Sequence, residues 1–138
     1  MLTLTNALEE AIKNRVASGN HPVTILTGFG DFEKEAPCFV ISCQSDEEFP
    51  VGSSNYRVLV ECSLFWPAER EDKAAFDQLS AGVFGLLDID DLGANLTLEG
   101  TVEVYDPIIE RQNGESTDGS MWVDMMRFTC YCHLIEPA

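Results

Sequence analysis

The segment YRVLVECSLFW, at positions 56–66, requires a β-sheet whose two faces meet different surroundings. Side chains on a strand alternate between the two faces of a sheet, so every second residue of this segment shares a face. One face carries Tyr56, Val58, Val60, Cys62, Leu64 and Trp66, and the other carries Arg57, Leu59, Glu61, Ser63 and Phe65. The first set predicts contact with a core. Pro67 ends the strand, because proline lacks the N–H that a ladder needs.

Two segments predict amphipathic helices. Residues 5–18 place apolar side chains at i, i+3 and i+4 spacing, and Asn6 with Glu9 suits a capping box. Gly19 follows as the predicted C-cap. The shared side of this helix carries Leu8, Ala11, Ile12, Arg15 and Val16. A second helix is predicted over residues 69–87, where the apolar stripe consists of Phe76, Leu79, Val83, Leu86 and Leu87.

The remaining segments predict strands and polar loops. Further strands are predicted over 23–26, 38–43, 96–105 and 121–135. Loops are predicted over 28–37, 45–55, 88–95 and 106–120. This order predicts an α+β fold, an antiparallel or mixed β-sheet with two main helices packed on one side. A long β-hairpin is expected at the C-terminal end, within a single domain that spans residues 1–138.

The charge balance excludes one broad class of function. Twenty-four acidic residues against eight basic residues leave the chain with a net charge of −16. Binding of nucleic acid through its phosphates needs clustered Lys and Arg, so we do not expect it here. No run of about eighteen apolar residues predicts a membrane span. Acidic residues near the N-terminus, where a signal peptide is apolar, predict a cytoplasmic product with reduced cysteines.

The segment MWVDMMRFTCYCHLI brings three potential metal ligands together, namely Cys130, Cys132 and His133. On a strand the two cysteines share a face with Phe128 and Leu134, whereas His133 points the opposite way. Adjacent strand residues do not easily close on one ion, and the sequence has no C-x-x-C motif of the kind found in structural zinc sites. We therefore predict buried cysteines, no metal, no cofactor and no enzymatic activity. A cysteine nucleophile paired with a histidine is the enzymatic alternative.

An acidic segment, DIDDLGANLTLE, nearly matches a calcium-binding loop. Asp88, Asp90, Gly93 and Glu99 fall at positions one, three, six and twelve of an EF-hand loop. Leu92 stands at position five, where an oxygen ligand is expected, and the following residues predict a strand rather than a helix. We interpret the segment as a solvated acidic turn. The sequence leaves open whether Asp88, Asp90 and Glu99 bind calcium.

Aromatic and basic side chains near loops and strand ends are candidates for an interface. Exposed aromatic residues at loop edges commonly anchor protein–protein contacts, and ordinary core packing is the alternative explanation for the same residues. The face of the last strand opposite the cysteines is expected to contact a neighbouring subunit. The candidate interface with another subunit or a partner consists of Phe29, Phe32, Phe49, Trp66, Arg111, Trp122, Arg127 and Tyr131.

The order of these segments resembles that of the tail terminator and tail-completion proteins of tailed bacteriophages. The likeness is one of order and length and runs from about Leu4 to Ile135. It comprises an N-terminal amphipathic helix, two strands of which one ends in YRVLVECSLFWPA, the helix KAAFDQLSAGVFGLL and two long strands joined by a polar loop. The family has no catalytic residues, so the resemblance implies none here.

The resemblance implies a structural virion protein that forms a ring, usually a hexamer, at the top of the tail tube. The expected partners are further copies of the chain, the tail tube protein and a neck or connector protein at the tail–head junction. DNA is expected to pass through the ring without specific binding, since an acidic lining repels phosphates. Assembly is expected in the host cytoplasm, with no membrane involved.

Two other functions fit the same features. A neck or head-completion connector protein has a similar size and forms a similar assembly. An acidic, non-enzymatic binding module that occupies a basic partner also suits the net charge. In the terminator interpretation, the segments GFGDFEKEAP, SDEEFPVGSS and RQNGESTDGS are candidate interface or lumen loops.

Overall fold

A computed structural model describes residues 3–27, 38–48, 50–53, 55–67, 73–97, 100, 102–115 and 121–135. The elements within these residues are α1 (Leu4–Ala17), β1 (Thr24–Thr27), β2 (Cys38–Glu48), β3 (Tyr56–Pro67), α2 (Lys73–Gly85), α3 (Leu92–Thr97), β4 (Val102–Glu115) and β5 (Met121–Leu134). The strands form one mixed sheet in the order β1-β2-β3-β5-β4. β1 pairs with β2 in parallel, and the other pairs are antiparallel. The predicted α+β class and the C-terminal hairpin are confirmed.

The helices pack on one face of the sheet, which we call the covered face. Its buried strand residues include Phe39, Ile41, Cys43, Val58, Val60, Cys62, Leu64, Met126, Phe128, Cys130 and Cys132. The helices contribute Ala7, Leu8, Ala11, Ile12, Val16, Phe76, Leu79, Val83, Phe84, Leu92 and Leu96 to the same core. Removal of this apolar surface from water is the main stabilising contribution. The predicted placement of two main helices on one side is therefore confirmed.

The opposite face, which we call the open face, has none of the three described helices packed on it. Its side chains follow from the strand register and include Val40, Leu59, Glu61, Tyr105, Ile108, Glu110, Val123, Met125, Arg127, Thr129 and Tyr131. These side chains are half-buried or exposed, whereas three small ones, Cys38, Ser42 and Ser63, are buried. The two faces of one sheet therefore have different surroundings, as the alternation in residues 56–66 predicts.

The beginning of α1 differs from the prediction. Thr3 is the N-cap, and its side-chain oxygen accepts a hydrogen bond from the Asn6 N–H at 3.2 Å. The predicted capping box of Asn6 and Glu9 is wrong, because both residues lie inside the helix. Glu9 turns towards the sheet instead, where its carboxylate accepts a hydrogen bond from the Cys43 N–H at 3.1 Å. A residue that sequence spacing assigned to a local cap thus makes a tertiary contact.

The C-terminal end of α1 lies close to α2. Ser18 is the C-cap, so the prediction of Gly19 at that position is wrong. A Cβ atom on Gly19 would lie 2.6 Å from Cδ1 of Leu86, and one on Gly82 would lie 2.5 Å from Cε1 of His21. Both glycines therefore permit a close approach that a larger residue would prevent.

The segment between α2 and β5 departs most from the sequence prediction. α3 occupies positions where an acidic loop and the start of a strand were predicted, and β4 continues through most of the predicted loop 106–120. Leu92 and Leu96 lie one helical turn apart and are both buried. The burial of this helical face therefore outweighs the alternating pattern of LTLE, at positions 96–99, which predicted a strand. β4 is long because β5 pairs with it as far as Glu115, which overrides the turn propensity of the NGE residues.

Candidate interaction surfaces

β5 separates its sulfur-rich segment between the two faces of the sheet. Cys130 and Cys132 are buried on the covered face, whereas His133 lies on the open face. The predicted burial of these two cysteines is therefore confirmed. Burial also raises the pKa of Cys43 and Cys62 well above the ordinary value for a thiol. A buried thiol with a raised pKa contains little thiolate at neutral pH and is a poor nucleophile.

His133 links neighbouring elements at one end of the sheet. Its Nδ1 lies 2.9 Å from Oδ1 of Asn55, and its Nε2 lies 3.1 Å from Oε2 of Glu103. The ring of Tyr105 packs edge-on against the imidazole, with 6.3 Å between the ring centres. The same ring stacks on Tyr131, with 6.0 Å between the ring centres. Both ring nitrogens face protein oxygen atoms, so His133 is not placed to activate a cysteine on the other face.

The acidic segment after α2 does not have the shape of an EF-hand loop. Leu92 is buried and begins α3, and Gly93 lies inside this helix against a backbone oxygen of β4. Asp88 lies 4.0 Å from Nη1 of Arg111, and Glu99 lies outside the described residues. Over the described part of the chain, no group of three His, Cys, Asp or Glu side chains could hold a metal ion. The described residues therefore do not adopt the EF-hand loop that the spacing of Asp88, Asp90 and Gly93 suggested.

The structure brings Trp66 and Trp122 together at one end of the sheet, where they are directly opposite in β3 and β5. The ring of Phe76 from α2 lies 6.3 Å from Trp66 and 5.8 Å from Trp122. Nζ of Lys73 lies 4.6 Å from the Phe76 ring centre and 5.5 Å from the Trp122 ring centre, which are cation–π distances. Both tryptophans are half-buried. This cluster of four residues, which we call the aromatic end, combines core packing with accessible surface.

Two members of the aromatic end were not among the candidates from the sequence. The sequence did indicate that Phe76 is buried, since it belongs to the apolar stripe of the second helix, but that stripe predicted core packing alone. Nothing in the sequence predicted the role of Lys73, because its position over two aromatic rings depends on how α2 approaches the sheet. Helical periodicity identifies a face of a helix and not the residues across from it.

Arg127 and Tyr131 lie on the open face, as the alternation in β5 predicts. Nε of Arg127 lies 3.2 Å from Oε2 of Glu61 on the adjacent strand. A second cross-strand ion pair joins Arg57 to Glu47 at 3.5 Å. These four charged side chains therefore lie in opposite-charge pairs across neighbouring strands. Such exposed pairs contribute little to stability but reduce the local net charge.

Arg111 lies in β4 on the helix side of the sheet, opposite Met126 of β5. Its guanidinium lies 4.5 Å from the ring centre of Phe84 and 4.0 Å from Oδ2 of Asp88. Its side chain is 31% exposed, so packing against the helices accounts for much of its surface. The three remaining candidates lie outside the described residues: Phe29, Phe32 and Phe49.

Two buried carboxylates were not singled out from the sequence. Glu9 is 7% exposed and bonds to the Cys43 N–H, next to a shift in the β2–β3 register. Asp124 is 6% exposed and accepts a hydrogen bond from the Ser80 hydroxyl at 2.5 Å. Buried charged groups need partners of this kind. Asp124 shares the face of Cys130 and Cys132 through the alternation of β5, but its partner Ser80 lies 44 residues away, so no local pattern in the sequence predicts the pair.

Residues that the structure describes line two open clefts at the ends and edges of the sheet. One of about 730 Å³ lies where the β2–β3 connection meets the end of β5, and His133 and Tyr56 line it. The other, of about 660 Å³, lies between the α2–α3 connection and β4. The second cleft is acidic, and its aspartates are Asp88, Asp90, Asp91 and Asp106.

Comparison with known protein families found no match, and comparison with curated proteins found none either. No described helix is both long and apolar enough to cross a bilayer. The fold and the surfaces define an α+β protein with a mixed sheet, a helix-covered face, an open face and an acidic cleft beside an edge strand.

Proposed function

We propose that this chain is a structural protein of a tailed-phage virion and forms a ring that caps the tail tube and joins it to the head–neck. The observation that carries the proposal is the order of its elements. One helix, three strands, a second main helix, the short helix α3 and a long two-stranded hairpin follow each other along the chain. This order supports the resemblance to tail terminator and tail-completion proteins from Leu4 to Ile135.

The distribution of charge supports self-assembly through the open face. Subunits with a net charge of −16 repel each other, so contact surfaces in a ring need few or paired charges. On the open face, Arg127 pairs with Glu61 and Arg57 pairs with Glu47. Half-buried apolar residues such as Met125 and the exposed Ile108 supply apolar surface on the same face. Head-to-tail contacts between two different patches close into rings when the rotation permits.

The overall acidity also supports a role around DNA. A bore that must let DNA pass should not hold it, and a surface rich in carboxylates repels phosphates. The same properties suit a neck or head-completion connector protein, which is the nearest alternative. Immunogold labelling of tails separated from heads would distinguish the two, because a terminator stays with the tail and a connector is expected with the head.

The direct test is the size and shape of the purified protein. Light scattering after size exclusion and negative-stain electron microscopy should show rings of about 60–100 Å, the scale of several domains of this length. Higher salt should favour the rings, because it screens repulsion between subunits. A monomer at every protein and salt concentration would contradict the proposal. A monomer with one rapidly reacting thiol would favour the enzymatic alternative.

A pair of charge variants sharpens this test. Arg127→Glu places a second carboxylate beside Glu61 on the open face and is expected to abolish rings while the melting temperature stays nearly unchanged. Lys13→Glu makes the same change of charge on α1, on the helix side of the sheet, and is expected to retain the rings. Loss of rings in both variants would show that net charge, and not the open face, controls assembly.

A further inference from the structure

β4 is an edge strand, and α3 blocks the edge near its beginning. The Val104 N–H donates a hydrogen bond to Oγ1 of Thr97 at 2.9 Å. The Thr97 hydroxyl lies within hydrogen-bond distance of two carbonyl oxygens, that of Gly93 at 2.8 Å and that of Val104 at 3.3 Å. Gly93 also lies so close that a Cβ atom on it would be 2.8 Å from the Val104 oxygen. No incoming strand can therefore reach Val104.

A bulge protects the next part of the same edge. The β4–β5 register shifts by one residue between Tyr105 and Ile108, where Asp106 and Pro107 together stand opposite the single residue Cys130. Asp106 has a φ of 54°, in the left-handed region, and Pro107 has no N–H to offer a partner. Bulges and prolines are the devices by which natural sheets prevent pairing at their edges. The first half of β4 is therefore closed to another strand.

The second half of β4, Ile108–Glu115, has no such protection from the described residues. The backbone N–H and C=O of Val104 point away from β5. In an antiparallel ladder, residues alternate between bonding to the neighbouring strand and pointing away from it. Beyond the bulge, the residues whose N–H and C=O point away from β5 are therefore Ile109 and Arg111. Among the described groups, none bonds to these outward positions. The Ile108 side chain is 66% exposed. One strand thus has a closed half and an open half.

The acidic cleft of about 660 Å³ lies along the bulge and meets this open half at Ile109, which lines it. Arg111, a basic residue that contacts the cleft, already lies over the Phe84 ring and 4.0 Å from Asp88. Asp90 and Asp91, which are exposed, have no ion-pair partner among the described side chains. Unpaired carboxylates therefore lie next to the beginning of a strand edge that can accept hydrogen-bonded pairing.

We propose that Ile108–Glu115 binds an extended, Lys- and Arg-rich segment of a partner protein by adding it as a strand to the sheet. In this mode, main-chain hydrogen bonds supply affinity and alternate side chains supply specificity. The basic side chains meet Asp90 and Asp91 in the cleft, which gives the specificity for charge. The proposal concerns a partner other than the chain itself and does not depend on ring formation.

A second copy of the chain is a poorer occupant of this edge. Each copy carries a net charge of −16, so a second copy would add negative charge beside an acidic cleft. The opposite edge of the described sheet is β1, whose four residues TILT contain no basic side chain. Complementary charge therefore selects a basic segment.

The test uses the purified chain and a fluorescein-labelled ten-residue peptide of alternating Lys and Val. Fluorescence anisotropy should show saturable binding that weakens steeply as salt is raised. The same peptide with four central amides N-methylated keeps its charge, but it should bind at least about tenfold more weakly because its backbone donors are lost. A peptide with Glu in place of every Lys should not bind.

Protein variants locate the site. Ile109→Pro removes an outward N–H without removing a bond to β5, so it should weaken binding by about tenfold. Because Ile109 also packs against the core, the same change should lower the melting temperature. Asp90→Asn combined with Asp91→Asn should weaken binding and flatten its salt dependence. Glu10→Gln combined with Asp46→Asn removes the same charge from other exposed positions and should bind as the parent does.

Each alternative has its own outcome. Equal binding of the N-methylated peptide overturns strand pairing and leaves only attraction between charges, and this comparison stands even where Ile109→Pro fails to fold. Equal losses in the two double variants overturn the cleft as the site. Failure of the Lys–Val peptide to bind, together with dimers that Ile109→Pro abolishes, assigns the edge to a second copy and also overturns the proposal.

Discussion

The covered face and the open face of the sheet are built from the same strands but differ in what lies against them. Met126 and Met125 are neighbours on β5 with identical side chains, yet Met126 is fully buried beneath the helices and Met125 is half-buried on the open face. Composition alone does not distinguish the faces, because both carry large apolar residues. Their difference shows that the helices, and not the strand sequence, decide how much each position stabilises the fold.

The largest expected effect compares these two methionines. Met126→Ala should lower the free energy of unfolding by about 2–5 kcal/mol, since it leaves a cavity in a close-packed core. Met125→Ala should cost about 1 kcal/mol or less, because its position is already partly solvated. Urea unfolding followed by circular dichroism measures both values. Similar losses in the two variants would mean that the open face is packed as tightly as the covered face.

A second prediction uses the thiols of the covered face. Because burial raises the pKa of Cys62 from an ordinary value of 9.0, the thiol ionises more readily in the unfolded chain than in the folded one. The contribution of the Cys62 thiol to folding stability is fully present below about pH 9 and is lost as the pH rises towards the pKa of the thiol in the folded protein. Each such thiol should lower the free energy of unfolding by about 1.4 kcal/mol per pH unit in that range.

Urea unfolding between pH 8 and pH 10.5 would measure this slope in the parent protein and in Cys62→Val. The variant lacks one titrating thiol, so its stability should decline less steeply with pH. Val58→Ala, a core change on the same strand without a thiol, should lower stability at every pH and keep the parent slope. Identical slopes in the parent and Cys62→Val would show that the Cys62 thiol is not protected from ionisation.

The smallest expected effect concerns the ion pairs of the open face. A double-mutant cycle with Arg127→Ala and Glu61→Ala should give a coupling energy of about 0.2–1 kcal/mol, the usual range for exposed pairs. The coupling should decrease in 1 M salt, because mobile ions screen exposed charges. A coupling of several kcal/mol that is insensitive to salt would mean that this part of the open face is shielded from solvent.

Local patterns in the sequence predicted much of the fold. Alternation in residues 56–66 and 121–135 identified the strands and their two faces, and the i, i+3, i+4 spacing identified the apolar side of α1. These patterns follow from the geometry of single elements, so they do not depend on neighbours. Capping of α1 was assigned wrongly, because Glu9 bonds to a strand rather than to its own helix.

The candidate surfaces were less predictable. Trp66 and Trp122 were recognised as individual candidates, but their direct opposition in neighbouring strands depends on the β3–β5 register. Arg111 was recognised as an interface candidate in a predicted loop, but it lies in β4, where the bulge determines which side of the sheet it occupies. A one-residue shift in register moves every following side chain to the opposite face.

The sequence by itself determined the α+β class, the covered face of β3 and the burial of Cys130 and Cys132, since each depends on a period of two or 3.6 residues within one element. Only the tertiary structure decided that β4 extends through a predicted loop and that Thr97 closes the first half of its edge. These features depend on hydrogen bonds between different elements. Those elements reach their relative positions only when the helices bury their apolar sides on the sheet. The open second half of that edge is therefore a property of the assembled fold.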